Sequence, residues 1–594
     1  MAPPDADDLP PEGFDSALLR RLIRYLRPHR RAVMAAVALL LLHAVLVLAG
    51  PILTERALDR AIPARDSGLL ARYAALFVGA LLLTAVVEYF EYLLTVRVAQ
   101  RVMFDLRNQI FTHLQRLSVP FFDANPVGRL MTRVTNDVET LNELFQSGIV
   151  TAFGDLFTLV AISVMMVVTD WRLALVAFAV IPVIWLVVSL FRRRVRSIFR
   201  EIRARVARLN AFLQEHLSGV RVLQLFGREA HAASRFDAVN RDHLSAHLRS
   251  ITLYAVFFPM IEVLTTVAVA LLLLEGGRRI IGGGLTVGVL AAFIQLTRRF
   301  FQPLQDLSEK VNLLQSAMAS SERVFRLLDT EVAILEPAAP KPLPKPVQGQ
   351  VVFEGVWFRY AADGPWVLRD VSFRAEPGET VALVGHTGAG KTTIISLLLR
   401  FYDPERGRIT LDGVDIRELA LAELRRQFGF VQQDLFLFAG DIERNIKLDA
   451  PLTETEVRAA AARVGADRFI DPLPSGYRHV LTERGRNLSV GERQLLSFAR
   501  ALAQSPTILL LDEATSSVDS ESEALIQRGI AELMADRTAL VVAHRLSTVQ
   551  SADRILVLHH GEIVEQGRHE ELLAREGLYE RLYRLQTGRT ALRA

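Results

Sequence analysis

Cysteine is absent from the 594 residues. That excludes a disulfide framework, a zinc–cysteine site, a cysteine nucleophile and an iron–sulfur cluster, and it leaves the redox compartment open. Lysine is almost absent too. Only Lys310, Lys341, Lys345, Lys391 and Lys447 occur, so arginine carries nearly all the positive charge. The net charge of +4 therefore reads as an arginine-rich composition, not as a surface for nucleic acid. The first 14 residues, MAPPDADDLPPEGF, are acidic and proline-rich. They read as a disordered tail and lack the basic start and short apolar run of a secretory signal.

What the chain has in quantity is apolar residues, 51% against 23% charged, and the two are segregated along its length. Residues 15–31 carry an amphipathic arginine face suited to a helix lying on a membrane surface. Six apolar runs follow, near 32–53, 73–95, 148–169, 171–191, 252–274 and 280–299. Each is long enough to cross the ~30 Å hydrocarbon layer as a helix. Arg20, Arg21, Arg24, Arg27, Arg30 and Arg31 precede the first run. Arg192, Arg193, Arg194, Arg196, Arg200, Arg203, Arg205 and Arg208 follow the fourth. The positive-inside rule puts both groups in the cytoplasm, together with the polar segments 96–147 and 192–251. Heptad-like spacing of Val102, Leu106, Ile110 and Leu114 predicts helices running well past the bilayer.

Five ionisable groups fall inside the runs: His43, Glu88, Glu91, Asp155 and Glu262. Charge in the hydrocarbon is costly, so each either contacts cargo or is held in an interhelical pair or near the headgroups. Glu88 and Glu91 lie one helical turn apart among Tyr89, Phe90 and Tyr92, which makes that patch the leading candidate for cargo contact.

Residues 336–348, EPAAPKPLPKPVQ, carry five prolines and read as an extended linker. Beyond them, short strand-like runs (VVFEGVWFRY, TVALVG, TILLLD, TALVVAH, RILVLHHG) alternate with helical ones. This predicts an α/β domain with a substantially parallel sheet. Gly385, His386, Thr387, Gly388, Ala389, Gly390, Lys391 and Thr392 fit G-x-x-x-x-G-K-[ST], after a strand-like VALV and running into a helix-like TTIISLLLRF whose Thr393 also counts among the expected nucleotide-binding residues. Backbone N–H groups of such a loop turn towards phosphate oxygens, and the helix N-terminus adds partial positive charge. Lys391 can reach the β- and γ-phosphates, and the Thr392 hydroxyl can ligate Mg²⁺. The apolar strand ILLL then delivers Asp512, which can organise Mg²⁺, and Glu513, which can act as general base towards water.

Further motifs follow in a set order. They are Tyr360, Gln433 in VQQD, Thr482–Gly485 (TERG), Leu488–Glu492 (LSVGE), Ser516–Asp519 (SSVD) and His544 in VVAHR. Together the chain resembles an ATP-binding-cassette (ABC) exporter half-transporter over about residues 15–585. The resemblance implies that Tyr360 stacks on adenine and that Gln433 senses Mg²⁺ and the attacking water. It implies that Ser489 and Gly491 contact the γ-phosphate of ATP held by an opposite subunit. Asp519 belongs to the loop resembling the D-loop, and His544 would hold the γ-phosphate, the water and Glu513. TERG resembles the X-loop that contacts intracellular helices. The segment Phe121–Arg129 and the region of Leu217–Arg221 resemble the two coupling helices. One departure stands out: Val490 replaces a usual glycine and Glu492 a usual glutamine. A β-branched residue there would loosen backbone approach to phosphate. An altered signature beside an intact Glu513 favours a heterodimer over a homodimer.

The expected fold class is thus multidomain: a six-helix, all-α transmembrane domain followed by an α/β P-loop nucleotide-binding domain. The expected division is a tail (1–14), a transmembrane domain (15–330), a linker (331–348), a cassette domain (349–585) and a tail (586–594). The expected cofactors are ATP and Mg²⁺. The expected partners are a second half-transporter, the lipid bilayer and an amphipathic drug- or lipid-like cargo, with no nucleic acid. The expected activity is ATP-driven export by alternating access, at a bacterial inner membrane with the nucleotide domain cytoplasmic. An ATP-gated or regulatory membrane subunit and a peptide cargo are the alternatives. No peptidase segment is seen ahead of the first run, so coupled leader-peptide cleavage is not expected.

Overall fold

The computed structural model describes residues 15–512, 520–543 and 546–587. The chain forms two compact units. One comprises the chain up to Gln115 and Gly128–Thr330, the other Arg116–Val127 and the chain from Glu331 onward.

The first unit is helical. Helix α1 (Ser16–Arg24) starts where the Asp15 carboxylate accepts the Ala17 N–H at 2.7 Å, and it buries Leu22 while Arg20 and Arg24 stay exposed. Helix α2 (Arg30–Leu46) breaks before a further helix, Ala49–Arg56. Pro51 explains the break. It has no N–H for the Val47 carbonyl four residues back, and the Arg299 guanidinium donates to that carbonyl instead. Helix α3 (Ser67–Arg116) has 50 residues, about 75 Å at ~1.5 Å per residue and so far longer than a bilayer is thick. Its predicted stripe of Val102, Leu106, Ile110 and Leu114 is buried.

Helix α4 (Val150–Thr169) ends at Asp170, whose carboxylate accepts the N–H groups of Arg172 and Leu173 and caps the next helix, Trp171–Phe178. The run predicted as one span over 171–191 is interrupted at Ala179–Val180, because Pro182 lies in the first turn of α5 (Ile181–Ser218). Helix α6 (Glu229–Ile281) and helix α7 (Val287–Leu328) complete the unit. The sixth predicted run, 280–299, therefore starts late. Gly282–Gly284 turn the chain, and the Thr286 hydroxyl caps α7.

Among the described residues, four helices are long and apolar enough to cross a membrane: Arg27–Ala61, Ser67–Arg116, Trp171–Ser218 and Glu229–Ile281. Phe153–Thr169 is a shorter apolar helix. Three of the five ionisable groups inside the runs are paired between helices. His43 Nδ1 lies 3.2 Å from a Glu91 carboxylate oxygen, and Lys310 pairs with Asp155. Glu88 and Glu262 are exposed in this single chain.

The second unit is α/β. Strands β1 (Val351–Phe358), β2 (Leu368–Ala375), β4 (Arg406–Leu411) and β5 (Val414–Asp415) form an antiparallel sheet in the order β2-β1-β4-β5. Strands β3 (Thr380–Val384), β6 (Phe428–Val431), β7 (Ile508–Asp512), β8 (Thr538–Val542), β9 (Arg554–His559) and β10 (Glu562–Gly567) form the second sheet, ordered β10-β9-β3-β8-β7-β6. Its pairs are parallel except β9–β10. All five residues of β7 and of β8 are buried. Alternate positions enter different cores: Ala382, Leu509, Leu511, Ala539 and Val541 one, Val381, Leu383, Ile508, Leu510 and Leu540 the other. Burial on both faces explains the unbroken apolar runs seen in the sequence. This unit also carries helices α8 (Lys391–Leu398) and α9 (Val490–Ala503).

Candidate functional site

Parallel pairing fixes where chemistry collects. Strands β6, β7, β8 and β3 are neighbours running the same way, so the segments that leave their C-terminal ends share one edge. In open α/β sheets that edge is where ligands bind. Three of the predicted segments leave this edge: the glycine loop from β3, Gln433 two residues past β6, and Asp512 at the end of β7. The register sets Val542 opposite Asp512 and opposite Leu383.

The loop is built for close approach. Gly390 caps α8 in a left-handed conformation (φ 102°), where a Cβ would stand 2.6 Å from Leu368 Cδ2. At Gly388 (φ 83°) a Cβ would meet nothing within 4 Å, which leaves the loop open to an incoming oxyanion. Lys391 is 7% exposed, and its ammonium donates to the carbonyls of Gly385 (2.7 Å) and His386 (3.0 Å). Burial pushes that ammonium below the usual lysine value, and the nearby Asp512 carboxylate acts in the opposite sense. A buried cation facing two carbonyls at an open glycine loop fits a phosphate. The oxygen donors of Thr392, Asp512 and Gln433 fit a hard divalent cation.

Tyr360 is 52% exposed and held from behind. Its hydroxyl and the Thr393 hydroxyl are 2.9 Å apart, and its ring stands edge-on to Phe358 and to Tyr402. Ser489 caps α9 through a reciprocal box. The Ser489 hydroxyl accepts the Glu492 N–H at 3.2 Å, and the Glu492 carboxylate accepts the Ser489 N–H at 2.7 Å. Glu492, read from sequence only as a departure, thus shapes the helix start. Val490 is 42% exposed and Gly491 is buried. The TERG turn is closed by Asn487, whose amide oxygen accepts from the Thr482 N–H and hydroxyl, both at 3.1 Å. Glu513, Ser516–Asp519 and His544 lie outside the described residues.

The short helix Val119–Ala124 belongs to the second unit, and the Ser118 hydroxyl before it accepts the Ile334 N–H at 2.9 Å. In the first unit, α5 ends at Ser218, and the turn beyond it carries Val220–Leu225. Leu217, Val222, Leu225 and Phe226 are exposed there.

The family described as the ABC transporter transmembrane region matches residues 33–304, and the family described as ABC transporter matches residues 368–516. The chain belongs to the ABC transporter family. It is 36% identical to an ATP-dependent lipid A-core flippase of Syntrophus aciditrophicus, over 96% of this chain and 94% of that one. It is 40% identical to a fatty acid ABC transporter ATP-binding/permease protein of Mycobacterium bovis, over 87% of this chain and 82% of that one. A solved bacterial Atm1-family ABC exporter with ATP bound matches with a TM-score of 0.77 and 28% identity, over 97% of this chain and all of that one. This ABC protein is therefore an exporter half-transporter: a multi-pass membrane ATPase that binds ATP and couples its hydrolysis to transport. ABC exporters of this fold work as dimers in a lipid membrane.

Several residues that hold the ABC site had no signal in the sequence. Tyr402 reaches Asp123 across 279 positions, and Arg500 of α9 donates to the Asn445 and Phe436 carbonyls. Each pairing depends on the tertiary fold, and neither spacing nor residue type announces it.

Proposed function

We propose that this chain exports amphipathic, lipid- or drug-like molecules across a bacterial inner membrane by alternating access, as one half of a dimer. The observation that carries the reading is the shared sheet edge, where the glycine loop, Gln433 and Asp512 meet, in a chain that also carries apolar membrane-spanning helices. The loop N–H groups and Lys391 hold the β- and γ-phosphates of ATP, and Tyr360 offers a ring face to the adenine. Thr392, Asp512 and Gln433 would hold Mg²⁺, which supplies charge neutralisation of the phosphate oxygens. Glu513 takes a proton from the attacking water, and His544 orients both. Ser489 and Gly491, with Asp519, close the ATP site of the partner chain.

The cargo reading draws on the relatives named for lipid A and fatty acids. Tyr89, Phe90 and Tyr92 are exposed on α3 beside the Glu91–His43 pair, which offers an apolar surface with a polar foot to an amphiphile. The exposed apolar turn at Leu217–Phe226 supports a partner chain, since such a surface is costly in water. The exposed Val490 in the signature, together with an intact Glu513, favours two unlike halves.

The test is ATP hydrolysis by this chain alone in lipid, with Glu513→Gln beside it. Activity in the wild type and its loss in the variant supports a self-sufficient homodimer. A folded but inactive wild type supports an unlike partner. Undiminished hydrolysis in Glu513→Gln overturns the assignment of Glu513. Failure of any amphiphile to raise turnover of the active pair would count against the transport reading.

A further inference from the structure

A chain of contacts runs from the short helix Val119–Ala124 to the phosphate-binding helix α8. The Tyr402 hydroxyl donates to the Asp123 carboxylate. The Tyr402 ring stands edge-on to Tyr360 (centroids 5.1 Å apart, planes at 86°) and packs against Phe358 (5.4 Å, 69°). Tyr360 is also edge-on to Phe358 (5.0 Å, 84°), and its hydroxyl pairs with Thr393, which is buried two residues after Lys391. Tyr360 is thus located by Phe358, Thr393 and Tyr402. Tyr402 in turn bonds outside the nucleotide-binding sequence, to Asp123. Burial, and then the Asp123 carboxylate, push the Tyr402 phenol up, so it remains a donor throughout the physiological range.

We propose that Asp123 and Tyr402 are positioning residues for adenine: the Asp123 carboxylate orients Tyr402, Tyr402 sets the tilt of Tyr360, and the seating of the short helix therefore tunes the affinity for the base of ATP. The inference rests on the reading of Tyr360 as the adenine platform. A hydrogen bond to a carboxylate is short and directional, and a tyrosine has only two side-chain torsions to fix. Losing the bond leaves the ring free to tip, and an edge-to-face contact is sensitive to tilt. The chain enters and leaves residues 116–127 from the membrane-spanning unit, so the platform is tied by sequence to the helices that handle cargo. Lys391 is held by the Gly385 and His386 carbonyls, not by these rings.

The experiment uses the full chain in lipid, with its partner if one is required, and two probes: ATP, and inorganic tripolyphosphate as a competitor that carries no base. Tyr402→Phe keeps the ring and removes the donor. Asp123→Ala removes the acceptor on an exposed helix and leaves both rings in place, so it carries the test should Tyr402→Phe fail to fold. In both, the KM for ATP is expected to rise roughly two- to tenfold, the range set by one aromatic edge-to-face contact, with the change carried by KM and not by kcat. The inhibition constant of tripolyphosphate stays at the wild-type value, and Asp123→Glu recovers part of the ATP affinity. An unchanged KM in Asp123→Ala, or a tripolyphosphate constant that moves in step with KM, overturns the proposal. Tyr360→Ala is the separate control. If it leaves the KM for ATP unmoved, the adenine-platform reading itself fails, whatever Tyr402 does.

Discussion

Asn445 is 2% exposed and uses its whole amide. Its Nδ2 donates to the carbonyls of Phe438 (2.9 Å) and Asp441 (3.0 Å), and its Oδ1 accepts from the Phe438 N–H (2.9 Å) and the Arg500 guanidinium (3.2 Å). It thereby ties the loop that follows Gln433 to helix α9, which starts at the signature. Asn445→Ala strands four partners at once. At about 1 kcal/mol net for each bond, less what water recovers at the part-buried carbonyls, the loss comes to about 3 kcal/mol. For a unit of this size that corresponds to about 6–12 °C in the unfolding midpoint. Asn487 is the control, since it also bridges backbone groups but is exposed, and Asn487→Ala should cost less than about 1 kcal/mol. The assay is tryptophan fluorescence on heating in lipid nanodiscs at one fixed scan rate, because unfolding of such proteins is scan-dependent. Trp357 and Trp366 lie in the nucleotide-binding unit and report on it. If Asn445→Ala lowers the midpoint no more than Asn487→Ala does, a fully satisfied buried amide is not what holds this loop.

Other outcomes follow from the same packing. Arg299→Leu strips the Val47 carbonyl of its donor, whereas the same change on a Pro51→Ala background should be tolerated, because an alanine N–H at that position restores the backbone bond. A thermal double-mutant cycle reads the coupling, and simple additivity refutes the Pro51 account. Gly288→Ala drives a Cβ onto the Glu55 carbonyl and to 2.6 Å from the Asp59 carboxylate, at a cost of about 1–3 kcal/mol in stability. Gly128→Ala, where nothing lies within 4 Å, should be neutral or slightly stabilising in the same melt. Ser489→Ala removes a cap worth about 1 kcal/mol, while Glu492→Gln keeps an acceptor for the Ser489 N–H and should shift the midpoint by less than half as much.

How far the residues announced this arrangement depends on the range of the interaction. Strands β3, β7, β8 and β9 were legible as apolar runs, because burial on both faces leaves an unbroken signal, and β1 as a run of β-branched and aromatic residues. Strand β2, whose residues alternate between buried and exposed, and the short strands β4 and β6 were not. The long helices beyond the membrane were visible in the stripe from Val102 to Leu114. Their breaks at Pro51, Pro182 and Gly282–Gly284 are hidden in the sequence, because apolar composition continues through them. The glycine loop was readable because phosphate binding needs glycine and lysine at fixed offsets. The props of that loop were not, since Asn445 with Arg500 and Tyr402 with Asp123 are tertiary contacts between polar residues of ordinary types. For the membrane charges the sequence left cargo contact and interhelical pairing both open. The structure pairs His43 with Glu91 and Asp155 with Lys310 and leaves Glu88 exposed.

The short helix Val119–Ala124 has a consequence for how the protein is made. It belongs to the nucleotide-binding unit, yet it leaves the ribosome about 200 residues before the rest of that unit begins at Glu331. At synthesis rates of about 5–20 residues per second, Ser118 and Asp123 wait on the order of 10–60 s before Ile334 and Tyr402, 216 and 279 positions later, exist to meet them. Through that interval an aromatic pair, Phe121 and Phe122, stands without its final neighbours. Assembly of the nucleotide-binding unit therefore joins a segment made early to a domain made last. A stall or a truncation between residues 130 and 330 would leave a membrane bundle displaying a docking segment with nothing to dock.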